Sequence, residues 1–281
     1  MFKITLKLSL VAVLFFTSFA KAQDFQGQAY YESKTNMSGS MKIDSPGMTE
    51  EMKKRMEEQM NKAFEKSYVL TFNKTESIYE EPQKLDLPSA GSNGMMIKME
   101  NSSDGKIYKN TKTKEAISEE DFFGKEFLVT DSLKTFDWKL ESDSKKIGDY
   151  TCYKATYTVK VSEKDKVDYE EAKKQQSKGK TTFFIMDEPK ETVITVWYTP
   201  EIPVGHGPAE YWGLPGLILE ANFDKTVILC SKIILNPKEK VVIKAPKKGK
   251  KVTKKEYERL IENQMEQMKD ADGNIRIEIN R

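Results

Sequence analysis

The chain contains a single histidine, His206, so any imidazole chemistry depends on this one residue. It lies in the segment PVGHGPAEYWG, where glycine and proline predominate. A Ser-His-Asp hydrolase of the α/β type places its serine in a G-x-S-x-G turn, and a zincin needs two histidines in H-E-x-x-H; the sequence has neither. We therefore expect His206 to be an exposed loop residue, and a hydrolase that uses it is the weakest functional hypothesis.

Methionines at four-residue spacing form a second group of candidate ligands. Met52, Met56 and Met60 follow one face of the helix predicted at residues 49–66. Thioethers bind Cu(I), but the chain supplies no cluster of mixed soft ligands around them. The spacing favours packing, or an adaptable surface for an apolar ligand or a protein partner. The sequence indicates neither a metal nor a cofactor.

The two cysteines, Cys152 and Cys230, lie in different settings. Strand alternation in YTCYKATYTVKV predicts that Cys152 shares a polar face with Lys154, where a free thiol is unusual in an oxidising compartment. Cys230 lies in KTVILCSKIIL, which is apolar on both faces and suits an inert core thiol equally well. A disulfide and two separate thiols both remain open.

The segment EYWGLPGLILE, residues 210–220, combines a turn signal with aromatic side chains. Gly213, Pro215 and Gly216 are predicted to form a structural corner, with a type II turn or bulge at Pro215-Gly216 and a positive φ at Gly216. The aromatic and imidazole groups around this corner are candidates for ligand or partner binding: Trp197, Tyr198, His206, Tyr211 and Trp212.

Nine lysines occur within KEKVVIKAPKKGKKVTKK, residues 238–255. Such a run suits contact with an anionic membrane surface, a polyanionic glycan or an acidic partner. A solvated linker followed by a lysine-rich first helical turn accounts for it equally simply.

The first residues predict export. A lysine-bearing start and an apolar run precede an Ala-Lys-Ala site ending at Ala22, which is typical of a secretory signal peptide at 1–22. Cleavage removes three lysines and no acidic residue, which turns 46 basic against 44 acidic residues into 43 against 44. We expect one periplasmic or secreted domain at 23–281, without a transmembrane segment and without the charge that attracts nucleic acid.

Most of the remaining chain reads as short strands joined by polar links, which favours antiparallel neighbours. The predicted strands include residues 94–100 and 181–187. The helix at 49–66 starts at a capping residue, Thr49, and a second helix is predicted at about 254–270, where Thr253 and Glu256 have the spacing of a capping box. The polar segment 164–177 is a weaker third helix candidate and is interpreted as a solvated excursion between strands. The predicted fold is mainly β (α+β): one strongly curved antiparallel sheet, an open half-barrel similar in architecture to LolA-type lipoprotein carriers, with two or three helices packed on it.

The segment WYTPEIPVGHGPAEYWGLPGLILE, residues 197–220, resembles the GLPGLI family, because residues 213–218 match the hexapeptide that gives the family its name. DWKLESDSKKIGDYTCYKA at 137–155 also resembles the family, and the likeness extends over about 68–257. The resemblance implies a β-rich protein that Bacteroidetes export. It implies no catalytic residue.

The leading functional hypothesis is an exported, non-enzymatic envelope protein that holds an apolar ligand or a protein partner between the sheet and the Met-lined helix. The alternative is an accessory subunit of an outer-membrane transporter or surface machine. In that case the lysine run and the loop at 200–216 would be docking surfaces.

Overall fold

The computed structural model describes residues 25–36, 49–82, 106–122, 124–177 and 188–267. Within these ranges twelve strands form one open sheet, and three helices lie beside it. The prediction of a mainly β chain built on a single large sheet is confirmed. The predicted signal peptide and the strands predicted at 94–100 and 181–187 lie outside the described residues.

The strands are β1 (Gln26–Thr35), β2 (Glu65–Asn73), β3 (Glu76–Glu80), β4 (Ile107–Asn110), β5 (Glu115–Phe122), β6 (Lys125–Ser132), β7 (Lys139–Ile147), β8 (Tyr150–Val159), β9 (Thr192–Thr199), β10 (Leu217–Phe223), β11 (Thr226–Leu235) and β12 (Lys250–Thr253). The helices are α1 (Glu50–Ala63), α2 (Glu163–Ser177) and α3 (Lys254–Gln267).

The sheet consists of two antiparallel meanders joined by the first strand. Its order is β12-β6-β5-β4-β3-β2-β1-β11-β10-β9-β8-β7, so β1 pairs with β2 on one side and with β11 on the other. Register shifts in the β1–β11, β9–β10 and β7–β8 pairs bend the strands locally. The expectation of an entirely antiparallel sheet is wrong at β12, which pairs in parallel with β6 because the long connection after β11 lets it enter from the same end.

The helix ends follow local capping signals. Thr49 Oγ1 accepts the backbone N–H of Met52 at 3.3 Å, and Thr253 and Glu256 form the predicted capping box before α3. The interpretation of 164–177 as an irregular excursion is wrong, since this segment forms α2. A second reciprocal cap, between Ser162 and Asp165, starts that helix. None of the described helices has an apolar stretch long enough to cross a membrane.

Two large hydrophobic clusters, and a smaller one that joins β6 to β12, form the core of the described residues. The first lies over β1–β3 and the start of β10, and the second lies over β8–β10. The segment between β9 and β10, residues 200–216, supplies buried side chains to both clusters and is called the inner loop below. Ile202 and Val204 belong to the first cluster, and Tyr211 and Leu214 belong to the second.

Candidate functional site

The inner loop packs into the protein instead of projecting from it. Backbone hydrogen bonds fix its path: Gly213 N donates to Gly205 O at 2.9 Å, and Ile218 N donates to His206 O at 3.0 Å. Gly213 is a left-handed residue with φ +96°, which a glycine adopts without strain. The segment predicted as a docking loop is therefore largely an internal element.

Gly216 forms the predicted corner in a different way from the one expected. Its φ is not positive, so the prediction of a left-handed Gly216 is wrong. A Cβ atom at this position would lie 2.1 Å from the carbonyl oxygen of Thr199, the last residue of β9. Glycine is required because the two backbones approach closely, while Pro215 before it is exposed.

Tyr198, Tyr211 and Trp212 were predicted to form part of a binding surface, and this is wrong for all three, since each is at most 9% exposed. Trp212 donates its indole N–H to Lys134 O at 2.7 Å, and Trp138 donates its own to Trp212 O at 2.8 Å. Buried indoles of this kind fill volume while satisfying their one polar group. These aromatic side chains are structural.

His206 is 0% exposed, so the prediction of a solvent-exposed loop histidine is wrong. Its Nε2 lies 3.0 Å from the carbonyl oxygen of Asn73, at the end of β2. Burial, reinforced by the nearby Lys109 ammonium group, lowers the pKa of His206 to about 3, so the imidazole is neutral at physiological pH. It lacks the access to a substrate that a general base needs.

The residue that holds the inner loop in place is Lys109 of β4, which sequence reasoning missed. Its side chain is buried, and Nζ donates to three loop carbonyls: Gly207 O at 2.8 Å, Ala209 O at 2.6 Å and Tyr211 O at 3.1 Å. Three acceptors match the three protons of an ammonium group. Ala209 has φ +47°, an uncommon conformation for a residue with a side chain.

Burial lowers the pKa of Lys109 to about 7, and the carboxylate of Glu210 opposes the shift. In the sequence this residue is one of 46 lysines and arginines. The surrounding segment KIYKN places Lys109 next to apolar strand residues, but a segment this short does not indicate that the lysine side chain is buried. Ser77 lies directly opposite Lys109 in the β3–β4 pair and is also fully buried. Ser77, Lys109 and His206 are called the buried polar site below.

Trp197 does not join Tyr211 and Trp212. It packs against the first cluster, whereas they belong to the second. Lys145 Nζ lies 4.4 Å from the centroid of the Trp197 ring and 2.7 Å from a carboxylate oxygen of Glu220. Trp197 is the one aromatic candidate that lies on a partly accessible side of the sheet.

The accessible side of β8–β11 follows from register. Ala155, Val196 and Ala221 face the second cluster, so their neighbours along each strand point to the opposite side. Two rows of paired residues run across that side: Leu229, Glu220, Trp197 and Lys154, then Val227, Asn222, Thr195 and Thr156. Together with Val193 these residues are called the outer face. Val193, Val227 and Leu229 are 52%, 41% and 40% exposed.

Of the methionine stripe on α1, the structure describes the side chains of Met52 and Met56. Met52 is 54% exposed, so for this residue packing is wrong and the alternative of an adaptable surface stays a prediction, while Met56 is half-buried. The side chain of Met60 lies outside what the structure describes. Helix α1 packs against β2 rather than across the sheet.

Cys152 and Cys230 are free thiols, and both are buried in the first cluster. The placement of Cys152 on an exposed polar face is wrong, because the start of β8 is covered by the apolar side chains of that cluster. Burial raises the pKa of Cys152 to about 11 and that of Cys230 to about 12, which keeps both as unreactive thiols at neutral pH. Across the described ranges, no three His, Cys, Asp or Glu side chains converge as a metal site would require.

One family model matches part of the chain. A family model described as "Protein of unknown function (Porph_ging)" matches residues 138–220, which run from Trp138 through the inner loop into β10. No curated protein matches the sequence.

Two solved structures of PNGF-II, in C2 and P21 space groups, are similar in part. Both give a TM-score of 0.48, with 14% and 13% sequence identity, and each comparison covers 86% of this chain. The comparison spans about a third of the PNGF-II chains, 33% and 34%.

Proposed function

We propose that the protein is an exported, non-enzymatic binding protein of the cell envelope that engages a protein partner across its outer face. The observation that carries this proposal is the row of exposed aliphatic side chains on β9 and β11, beside Trp197. Of the two occupants predicted from the sequence, a protein partner is favoured over an apolar ligand. The inner loop already fills the opposite side of β8–β10 with Tyr211, Trp212 and Leu214.

The chemistry of the outer face supports a protein partner. Aliphatic side chains alternate there with ion pairs, Lys145–Glu220 at 2.7 Å and Lys154–Glu141 at 3.2 Å. Protein interfaces combine an apolar centre, often anchored by tryptophan, with a polar rim. We expect the partner to be a periplasmic or outer-membrane protein that covers Val227 and Leu229.

Site-directed photo-crosslinking in the native host tests the proposal. A photoreactive residue at Leu229 or at Val193 is expected to capture the same envelope protein. Val167 is the matched control, since it is 54% exposed and belongs to helix α2 instead of the outer face. Val227→Asp, a change at an exposed position, is expected to abolish both adducts. Equal capture from Val167, or no adduct from either outer-face position, would overturn the proposal.

Export and family membership belong to the same proposal. The hexapeptide at 213–218 supports membership of the GLPGLI family, which Bacteroidetes export, and the segment at 1–22 supports cleavage after Ala22. N-terminal sequencing of the protein from its host is expected to begin at Gln23. A mature chain that begins at Met1 would contradict location in the cell envelope, whereas partner binding by the outer face would still be open to the crosslinking test.

A second candidate function, an accessory subunit of an outer-membrane transporter or surface machine, draws on the connection between β11 and β12. This connection, residues 236–249, is called the basic segment below. Val242 is 68% exposed among its lysines, and Lys248 pairs with Glu126 at 2.5 Å. The inner loop no longer contributes to this hypothesis because it is buried. Replacing Lys244 and Lys247 with glutamate is expected to abolish pull-down of such a machine, and unchanged recovery would count against it.

A further inference from the structure

Two buried polar atoms of the buried polar site have no hydrogen-bond partner among the described residues. They are the hydroxyl oxygen of Ser77 and Nδ1 of His206, and both residues are 0% exposed. An unsatisfied buried polar atom costs about 1–3 kcal/mol, and proteins satisfy nearly all such atoms with protein groups or ordered water. Two of them in one place indicate that a further group binds there.

Register and contacts place Ser77 and His206 in the same part of the sheet. Ser77 lies between Phe72 on β2 and Lys109 on β4, its direct partners across the sheet. His206 contacts β2 beside Ser77: its Nε2 lies 3.0 Å from Asn73 O, and its ring centroid is 6.3 Å from that of Phe72, the strand partner of Ser77. On the other side Gly207, the next residue, accepts a proton from Lys109. His206 and Gly207 thus contact the residues on both sides of Ser77 in the sheet.

The donors and acceptors that His206 and Lys109 already use define the chemistry of the missing group. The carbonyl of Asn73 can only accept, so Nε2 of His206 carries the proton and Nδ1 presents a lone pair. All three protons of Lys109 are taken by loop carbonyls. The missing group must donate to Nδ1 and must also bond to the hydroxyl of Ser77.

A fully deprotonated anion, such as chloride or a carboxylate, fails this requirement because it has no proton to give to Nδ1. A metal cation is disfavoured by the Lys109 ammonium group nearby, and in the described part of the chain no three His, Cys, Asp or Glu side chains converge to hold one. Water can donate to Nδ1 and exchange a hydrogen bond with a hydroxyl at the same time. Buried waters of this kind typically bond to two to four polar groups.

We propose that the buried polar site binds one internal water molecule that bridges Nδ1 of His206 and Oγ of Ser77. The water joins the inner loop to β3, beside the direct link that Lys109 makes from β4. Its release requires the inner loop to move, because Ser77 and His206 are both closed off from solvent.

A crystal structure of the wild-type protein at a resolution that shows ordered water tests the proposal directly. We expect a solvent peak at hydrogen-bond distance, roughly 2.6–3.2 Å, from both atoms. Direct contact between Ser77 Oγ and His206 Nδ1, or a side chain from elsewhere in the chain at that position, would overturn the proposal.

The single histidine allows an independent test in solution. In protein labelled with ¹⁵N-histidine, we expect Nε2 to be protonated and Nδ1 to be an unprotonated hydrogen-bond acceptor. Ser77→Ala removes one partner of the water and should shift the Nδ1 resonance towards that of an unbonded nitrogen. Ser67→Ala is the matched control, because Ser67 bonds the exposed Glu32 on another strand, and it should leave the resonance unchanged. A protonated Nδ1, or equal shifts in both variants, would contradict the proposal.

Discussion

The inner loop and the basic segment are both irregular connections to a strand of the same sheet, yet one is buried and the other is exposed. The inner loop carries an apolar or aromatic residue at nearly every second position, and most of these are buried. In the basic segment lysines flank the apolar run at residues 241–243, and burying so many charges is too costly without partners. The comparison of these two connections indicates that a buried loop requires both apolar side chains and hydrogen-bond donors for its backbone carbonyl groups. Lys109 supplies the second.

The largest expected effect comes from removing that donor. Lys109→Met keeps much of the side-chain volume but leaves three loop carbonyls without a buried partner. We expect the free energy of unfolding to fall by about 4 kcal/mol. Urea unfolding followed by tryptophan fluorescence measures it. Lys112→Met, at an exposed position in the turn after β4, should change the free energy of unfolding by less than about 0.5 kcal/mol. Equal losses in the two variants would contradict the role of Lys109 in holding the inner loop.

Gly216→Ala tests the close approach of the inner loop to β9. The new methyl group would lie 2.1 Å from the carbonyl oxygen of Thr199, and backbone on both sides must shift. A loss of about 3 kcal/mol is expected from such overpacking. Gly148→Ala provides the comparison, since that turn glycine has φ +58° but no atom within 4 Å of the new methyl, so only about 1 kcal/mol of backbone strain applies. Thermal and urea unfolding of the two variants should rank them in this order.

Acidification should weaken the fold through His206. Its folded pKa of about 3 lies below the ordinary value of 6.5, so the unfolded chain takes up a proton that the folded chain does not accept. The stability that neutral His206 contributes is complete above pH 6.5 and is lost as pH falls towards 3, at about 1.4 kcal/mol per pH unit. Wild type should lose about 2 kcal/mol more than His206→Gln between pH 7 and pH 5. Parallel pH profiles for the two proteins would show that His206 is accessible to protons in the folded state.

The smallest effect is expected in the basic segment. Val242→Ser changes a side chain that is 68% exposed, so the free energy of unfolding should stay within about 0.5 kcal/mol of wild type. The same measurement on Val204→Ser in the inner loop, where the valine is 3% exposed, should show a loss of about 2–3 kcal/mol. Similar losses of stability in the two variants would contradict the difference in burial between the basic segment and the inner loop.

Local patterns predicted the parts of the fold that depend on neighbouring residues. Strand alternation and short polar links gave the antiparallel meanders, and capping residues located Thr49 and Thr253 at the helix starts. The segment at 164–177 was misjudged because its apolar content is low, although the Ser162–Asp165 cap and local ion pairs suffice for a helix.

The candidate site depended on contacts between distant segments, which no local pattern contains. His206 and Tyr211 look like loop residues until Lys109, about a hundred positions earlier, is seen beneath them. Cys152 looked exposed because alternation describes one strand and not what covers it. The close approach of Gly216 to Thr199 likewise depends on how two strands meet, so the sequence indicated a turn glycine but not its reason.

The position of β1 between the two meanders has a consequence for how the chain folds. β1 can pair with β2 soon after both are synthesised, but its other edge waits for β11, and the Thr35–Thr226 pair joins residues 191 positions apart. Until then that edge exposes unpaired backbone groups that can bind another chain. Closing so long a loop makes pairing of β1 with β11 a slow step. The second meander can form its hairpins meanwhile, so we expect docking of the two halves along β1 to be the late event in folding.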